Sequence, residues 1–249
     1  MKKQMVFILV LTLTLLATPG RSRSITNADF PLLPGISSPD TTYWASPDGQ
    51  AVWTSCRGEL PLNGPSACAL STANTNASAG DTVYLRGGTY SGQEIRPSNS
   101  GTFESNRIVF TNYNQENVLI RDSAYGIYIY KKLYITVNGI NFYSLRRFMR
   151  IYAGHHNTIS YCNFDQRSPE SGDWVGALIA DDPYDNTSAS ENSTHNWVHH
   201  CSFYRWVYGA YDEHRGGLLD IGSWSAGDDS SYNLIEDNTF AYGGHHTIG

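Results

Sequence analysis

Two groups of side chains in this sequence have the types and spacing for chemistry. The first is Asp181-Asp182-Pro183-Tyr184-Asp185, three carboxylates within five residues. With backbone carbonyls and water, Asp181, Asp182 and Asp185 could hold Ca²⁺, a hard cation that takes oxygen ligands. The spacing of a known calcium loop is not matched, and Asp and Pro are ordinary turn residues, so a polar turn is the competing reading. The second group is His214, Arg215, Asp220, Glu236 and His245. A His or Arg beside a carboxylate on an exposed strand can act as a general base with electrostatic support, which makes these five the candidate catalytic residues. An exposed ladder of polar side chains is the alternative.

Three histidine doublets also stand out: His155-His156, His199-His200 and His245-His246. Neighbours on a strand face opposite ways, so a doublet is not expected to close on one metal ion. His245 is expected outward and His246 buried and hydrogen-bonded. Lys131, Lys132, Arg146, Arg147 and Arg150 form a basic group, read either as a site for uronate carboxylates or sulfates or as a solvated turn.

These residues are positioned by a repeated phrase. It runs over residues 134–142, 156–164, 196–203 and 233–240, and each copy has a branched residue followed five later by Phe. The Phe positions lie 22, 39 and 37 residues apart, and Val137, Ile159, Val198 and Ile235 keep the same intervals. A fixed phrase at variable intervals predicts stacked coils, some carrying an inserted loop. Both columns should point inward. Aligning Val198 with Ile235 also stacks His199 on Glu236 and His200 on Asp237. A second, shorter strand is expected at residues 149–152, 178–180, 219–222 and 247–249. Alternation turns Arg150, Leu178, Asp220 and Thr247 outward there. The insertions then fall at 181–194, 204–217 and 223–231, and would wall a groove beside that face.

The segment Gly80-Asp81-Thr82-Val83-Tyr84-Leu85-Arg86-Gly87-Gly88-Thr89-Tyr90-Ser91-Gly92 resembles the opening coil of secreted bacterial parallel β-helix proteins of the pectin-lyase-like superfamily. The resemblance extends over residues 66–249. It implies an all-β, right-handed parallel β-helix with a short N-terminal capping helix, expected at 66–74. The chain stops at Gly249 straight after a predicted strand, which suggests that the solenoid continues beyond it.

Lys2 and Lys3 precede an apolar run from Val6 to Ala17, closed by Thr18-Pro19-Gly20; residues 1–20 therefore read as a signal peptide. Residues 21–65 form a Pro/Gly/Ser-rich lead without a sustained period. The expectation is export, to the periplasm or beyond. Cys56 and Cys68 should then clip the lead, while Cys162 and Cys201, at one repeat position, are either bonded or two stacked buried thiols. Without residues 1–20 the chain has 15 basic and 23 acidic side chains, a net charge of −8. That argues against nucleic acid or an anionic membrane held by bulk charge, but not against an anionic sugar held by a local basic patch or a bound cation.

In style the resemblance is nearest to alginate lyases and chondroitinase-B-like enzymes. It implies a polysaccharide substrate cleaved by β-elimination, in which a cation neutralises the uronate carboxylate and a base removes the C5 proton. The Lys/Arg pair and the Asn/Glu calcium ligands of that group find no counterpart here, so no catalytic position is carried over. A hydrolase using paired carboxylates such as Asp220 and Glu236, or a carbohydrate-binding solenoid without chemistry, are the alternatives.

Overall fold

The computed structural model describes residues 41–166, 175–184, 192–205, 217–222 and 230–243. The signal-peptide reading, Asp185, His214, Arg215, the doublet His245-His246 and the strand expected at 247–249 lie outside the described residues.

Among the described residues seventeen strands, numbered in chain order, form three all-parallel sheets. Sheet A stacks β1 (Thr41–Ala45), β2 (Asp81–Leu85), β4 (Ile108–Asn112), β7 (Ile135–Asn138), β10 (Thr158–Ser160), β13 (Trp197–His199) and β16 (Leu234–Glu236). Sheet B stacks β3 (Gly88–Ser91), β5 (Val118–Arg121), β8 (Asn141–Tyr143), β11 (Asn163–Asp165), β14 (Ser202–Tyr204) and β17 (Thr239–Ala241). Sheet C stacks β6 (Ile127–Tyr130), β9 (Met149–Tyr152), β12 (Val175–Ala180) and β15 (Gly217–Gly222). Each coil visits the sheets in turn, and the protein is a parallel β-helix.

The predicted register holds. Val137, Ile159, Val198 and Ile235 are successive partners in sheet A. In sheet B, Phe142, Phe164, Phe203 and Phe240 stack nearly parallel at centroid distances of 4.7, 4.8 and 5.1 Å. Ile129, Ile151, Ile179 and Ile221 form the third inward column. Burying each large apolar side chain contributes about 1.5–3 kcal/mol, so the columns are the main attraction between coils.

The corners depend on left-handed residues. Gly139, Tyr161, His200 and Asp237, with φ between 52° and 71°, each turn the chain from sheet A to sheet B. A Cβ at Gly139 would come within 2.5 Å of Asn112 Oδ1, which is why that coil uses glycine. At the corner entering sheet A, Asn157, Asn196 and Asn233 form a ladder. The backbone N–H of Ile135 donates to Asn157 Oδ1 (2.9 Å), that of Asn157 to Asn196 Oδ1 (3.1 Å), and that of Asn196 to Asn233 Oδ1 (3.0 Å). One residue earlier, Tyr134, His156, His195 and Tyr232 stack ring on ring at 4.8–5.3 Å.

The N-terminal stretch differs from expectation in two ways. Sheet A already begins at Thr41, inside the stretch read as an aperiodic lead, because β1 pairs in register with β2. The helix α1 spans Leu70–Asn76 rather than 66–74. Cys68 bridges to Ala45 and is disulfide-bonded to Cys56, so its backbone is committed to extended pairing and the helix starts beyond it. Cys162 and Cys201 are buried free thiols, which decides between the two readings of that pair. Among the described residues, no helix is long and apolar enough to cross a membrane.

Candidate functional site

Sheet C carries the face where a groove was expected, and its middle rungs are filled. Arg150 is in register with Leu178, and Leu178 with Asp220, as predicted. Yet Arg150 is buried. Its guanidinium donates to the carbonyls of Met149 (2.8 Å), Gly176 (2.9 Å) and Val175 (2.8 Å), so it stitches two coils together and does not present a cation to solvent. Leu178 is also buried, in a small cluster with Val175, Ala180 and Tyr152. Asp220 is half-buried beside Gly217, on a different sheet from Glu236. The proposed carboxylate pair of Asp220 and Glu236 is therefore not brought together on one face.

The open part of this face lies at its first rungs. In β6 strict alternation puts Ile127 and Ile129 inside and Tyr128 and Tyr130 outside. A parallel bridge between Ile95 and Ile127 brings Arg96 alongside, with its guanidinium carbon 4.4 Å from the centroid of the Tyr128 ring. Lys132 follows just past the corner. Arg96, Pro97, Ser98, Tyr128, Tyr130 and Lys132 line a cleft of about 310 Å³. Its floor is aromatic and its rim cationic. Lys132 has no carboxylate partner among the described residues. Burial, then the neighbouring phenols of Tyr184 and Tyr125, push the Tyr128 hydroxyl up to about 12, so it stays a neutral donor.

Lys131 and Arg147 are otherwise engaged. Lys131 Nζ lies 2.9 Å from Asp182 Oδ2, which also accepts from the Tyr130 hydroxyl at 3.0 Å; Asp182 Oδ1 accepts from the Tyr184 N–H at 2.9 Å. Burial alone would raise the Asp182 pKa, but these three donors together hold it below the usual carboxylate value. Both oxygens of a buried carboxylate thus answer a lysine, a phenol and an amide; Asp185, the third member of the expected calcium group, lies outside the described residues. Asp181 is buried too. Among the described residues no group of three or more His, Cys, Asp or Glu is arranged to hold a metal ion. Arg147 donates to the Tyr125 hydroxyl (3.1 Å), and Arg146 is exposed.

Glu236 belongs to a second cluster, on sheet A. It pairs with His199 in register and accepts from Trp197 Nε1 at 2.9 Å. Trp197 stacks on His199 at 3.9 Å, and Tyr161 stacks on His200 at 4.8 Å. His199 and His200 do not face opposite ways as expected, because His200 sits at the left-handed corner and its ring swings back beside its neighbour. Burial, then the adjacent His200, lowers the His199 pKa.

Arg96, Tyr128 and Tyr130 were not among the sequence candidates. The signal was present in Ile127-Tyr128-Ile129-Tyr130, a period-two pattern whose polar-tipped members must face outward. Arg96 could be placed only once the bridge to Ile127 was known. No family model, curated protein or solved structure matches the chain, so the function is argued from this geometry.

Proposed function

We propose that this is an exported protein that binds a uronate-containing polysaccharide on sheet C and cleaves it by β-elimination. The observation that carries the reading is the cleft in which Arg96 and Lys132 flank the Tyr128–Tyr130 floor. A sugar ring has an apolar face suited to a tyrosine, here the part-exposed Tyr130, since Tyr128 is buried beneath Arg96, and its carboxylate suits the Lys132 ammonium and a guanidinium fork. In β-elimination a base takes the C5 proton, the C4–O bond breaks as the C4=C5 double bond forms, and the departing oxygen takes up a proton; the same cations would offset the enolate-like charge, so the cleft supplies the electrostatic part of the step and not its base. Export is supported by the charged and apolar opening of the chain and by the Cys56–Cys68 disulfide.

A binding solenoid without chemistry is the second reading. It is favoured by the neutral Tyr128 phenol and by the Tyr130 hydroxyl's bond to Asp182, which leave cations and rings in the cleft but no ready base. The deciding experiment incubates the full chain with alginate, polygalacturonate and chondroitin. Binding, ultraviolet absorbance of unsaturated uronate ends and new reducing ends are measured in parallel. Absorbing ends mean elimination, reducing ends alone mean hydrolysis, and binding without either means a recognition module. No binding to any of the three would overturn the reading.

A further inference from the structure

Sheet A has an outward face of another kind over β10, β13 and β16. Trp197 is in register with Leu234, and His199 with Glu236. Trp197 and Leu234 are exposed at 39% and 49%, and Tyr161, at the corner after β10, at 58%. The rings of Trp197 and Tyr161 both lie against His199, at centroid distances of 3.9 and 5.8 Å. Exposed apolar side chains scattered singly need no explanation; these are gathered around one residue.

The indole is held in place. One face of Trp197 stacks on His199, and its Nε1 donates to Glu236 Oε1 at 2.9 Å, so its tilt and its rotation are both fixed. A ring that is fixed before binding loses little freedom when a ligand settles on it. Glu236 commits one oxygen to the indole, and its Oε2 has no hydrogen-bond partner among the described residues.

The charge of this face is one-sided. Residues 155–162, 194–201 and 231–238, which build these strands and their corners, include Glu236 and Asp237 but no lysine or arginine. An anionic ligand would meet like charge here. A sugar ring with equatorial hydroxyls suits it: its C–H face complements the negative face of an indole, and its hydroxyls are donors for a carboxylate. Size points the same way. Three-residue strands over three coils make the face about 10 Å on a side, whereas a stable protein interface takes about 800 Å² from each partner. The face has room for one or two sugar rings and is too small for a second copy of the chain.

We propose that the Trp197 face of sheet A binds an uncharged glycan of glucose-type rings, with one ring stacked on the indole and a hydroxyl donated to Glu236. This site is separate from the Tyr128 cleft, which lies on sheet C and is cationic, and it does not rest on the acidic-glycan reading.

The test is calorimetric titration of the full chain with cellohexaose, followed by its displacement with the same hexamer oxidised to the carboxylate at C6. Scoring the oxidised probe by displacement leaves out any of it that binds elsewhere. Cellohexaose should bind with a Kd of about 1 mM or tighter, and the oxidised hexamer should displace it only at about tenfold higher concentration, the scale of one like-charge contact near a surface. Trp197→Ala should abolish cellohexaose binding with the circular dichroism spectrum unchanged. Glu236→Gln, which keeps an oxygen for the indole, should close most of the gap between the two probes. Absence of cellohexaose binding, binding that survives Trp197→Ala, or equal potency of the two probes on the unsubstituted chain overturns the assignment. So does a dimer in sedimentation that Trp197→Ala dissociates, which would give the face to a second copy of the chain. None of these outcomes bears on the Tyr128 cleft, whose own probes are acidic and are read without cellohexaose.

Discussion

His199 Nδ1 and His200 Nδ1 lie 2.8 Å apart although the residues are consecutive. In an extended strand that contact is impossible, since neighbours point to opposite faces. It exists because His200 has a φ of 53° and is the corner residue between β13 and β14. One ring must donate and the other accept, so the pair tolerates at most one proton on the two facing nitrogens. Adding a second charge to this pair is costly.

Stability should therefore fall in mild acid. His156 and His199 are both held below the ordinary histidine value of 6.5, by burial first and then by His195 and His200 respectively. The unfolded chain takes up these protons at higher pH than the folded one. The stability is thus complete above about pH 6.5 and is lost as pH drops through the lowered folded values. The lowered carboxyls of Asp182 and Glu116 act only further down, below the ordinary values of 3.8 and 4.5. Melting temperatures measured from about pH 7.5 to about pH 5 should decline, and the double variant His156→Asn/His199→Asn should flatten the curve. An unchanged slope in that variant would sink the argument.

Lys132→Ala should weaken binding of an acidic oligosaccharide about tenfold at low salt and make the remaining affinity less salt-sensitive, because one unscreened cation is gone. Lys131→Ala should do less to binding and more to stability, since its ammonium answers the buried Asp182. Reversal of the two effects would place the ligand elsewhere.

Asn196→Ala should destabilise the fold by about 3 kcal/mol, read from denaturant midpoints. It strips the acceptor from the Asn157 N–H and Nδ2 and the donor from the Gly154 carbonyl, all in buried surroundings. A loss under about 1 kcal/mol would mean that water enters the corner and replaces the amide.

Phe164→Ala should cost about 3–5 kcal/mol, because its ring is sandwiched between Phe142 and Phe203 and the coils on both sides lose their contact. Phe240→Ala should cost less, its ring having a stacked neighbour on one side only among the described residues. Equal losses would show that the column does not act as a stack.

Alkylation of the folded protein should leave Cys162 and Cys201 untouched, with two thiols per chain reacting only on unfolding. Both are buried, and burial pushes the Cys162 thiol well above its usual range. A Cys162–Cys201 crosslink in freshly prepared protein would contradict this.

The inward columns were legible because a solenoid repeats its apolar phrase. Val137 and Phe142 predicted their column neighbours one and two coils away. Arg150 misled, because alternation gives the face of a side chain but not what covers that face; the carbonyls of Gly176 and Val175 that bury its guanidinium come from the next coil. His200 misled for a local reason, a left-handed φ that residue type alone does not announce. The cleft at Arg96 was hidden for a third reason. Its walls come from α1, a bridge at Ile95 and strand β6, and only coil stacking makes them neighbours.

The asparagine ladder has a direction. Ile135 is answered by Asn157, Asn157 by Asn196 and Asn196 by Asn233, so each amide waits for a side chain from the coil that follows it. The corners at Ile135, Asn157 and Asn196 are therefore each completed by the coil that comes after them and not by the one before. Cutting the chain after any of these coils would leave its corner amide unanswered, so shortening the solenoid from its C-terminal side costs one buried hydrogen bond beyond the lost stacking.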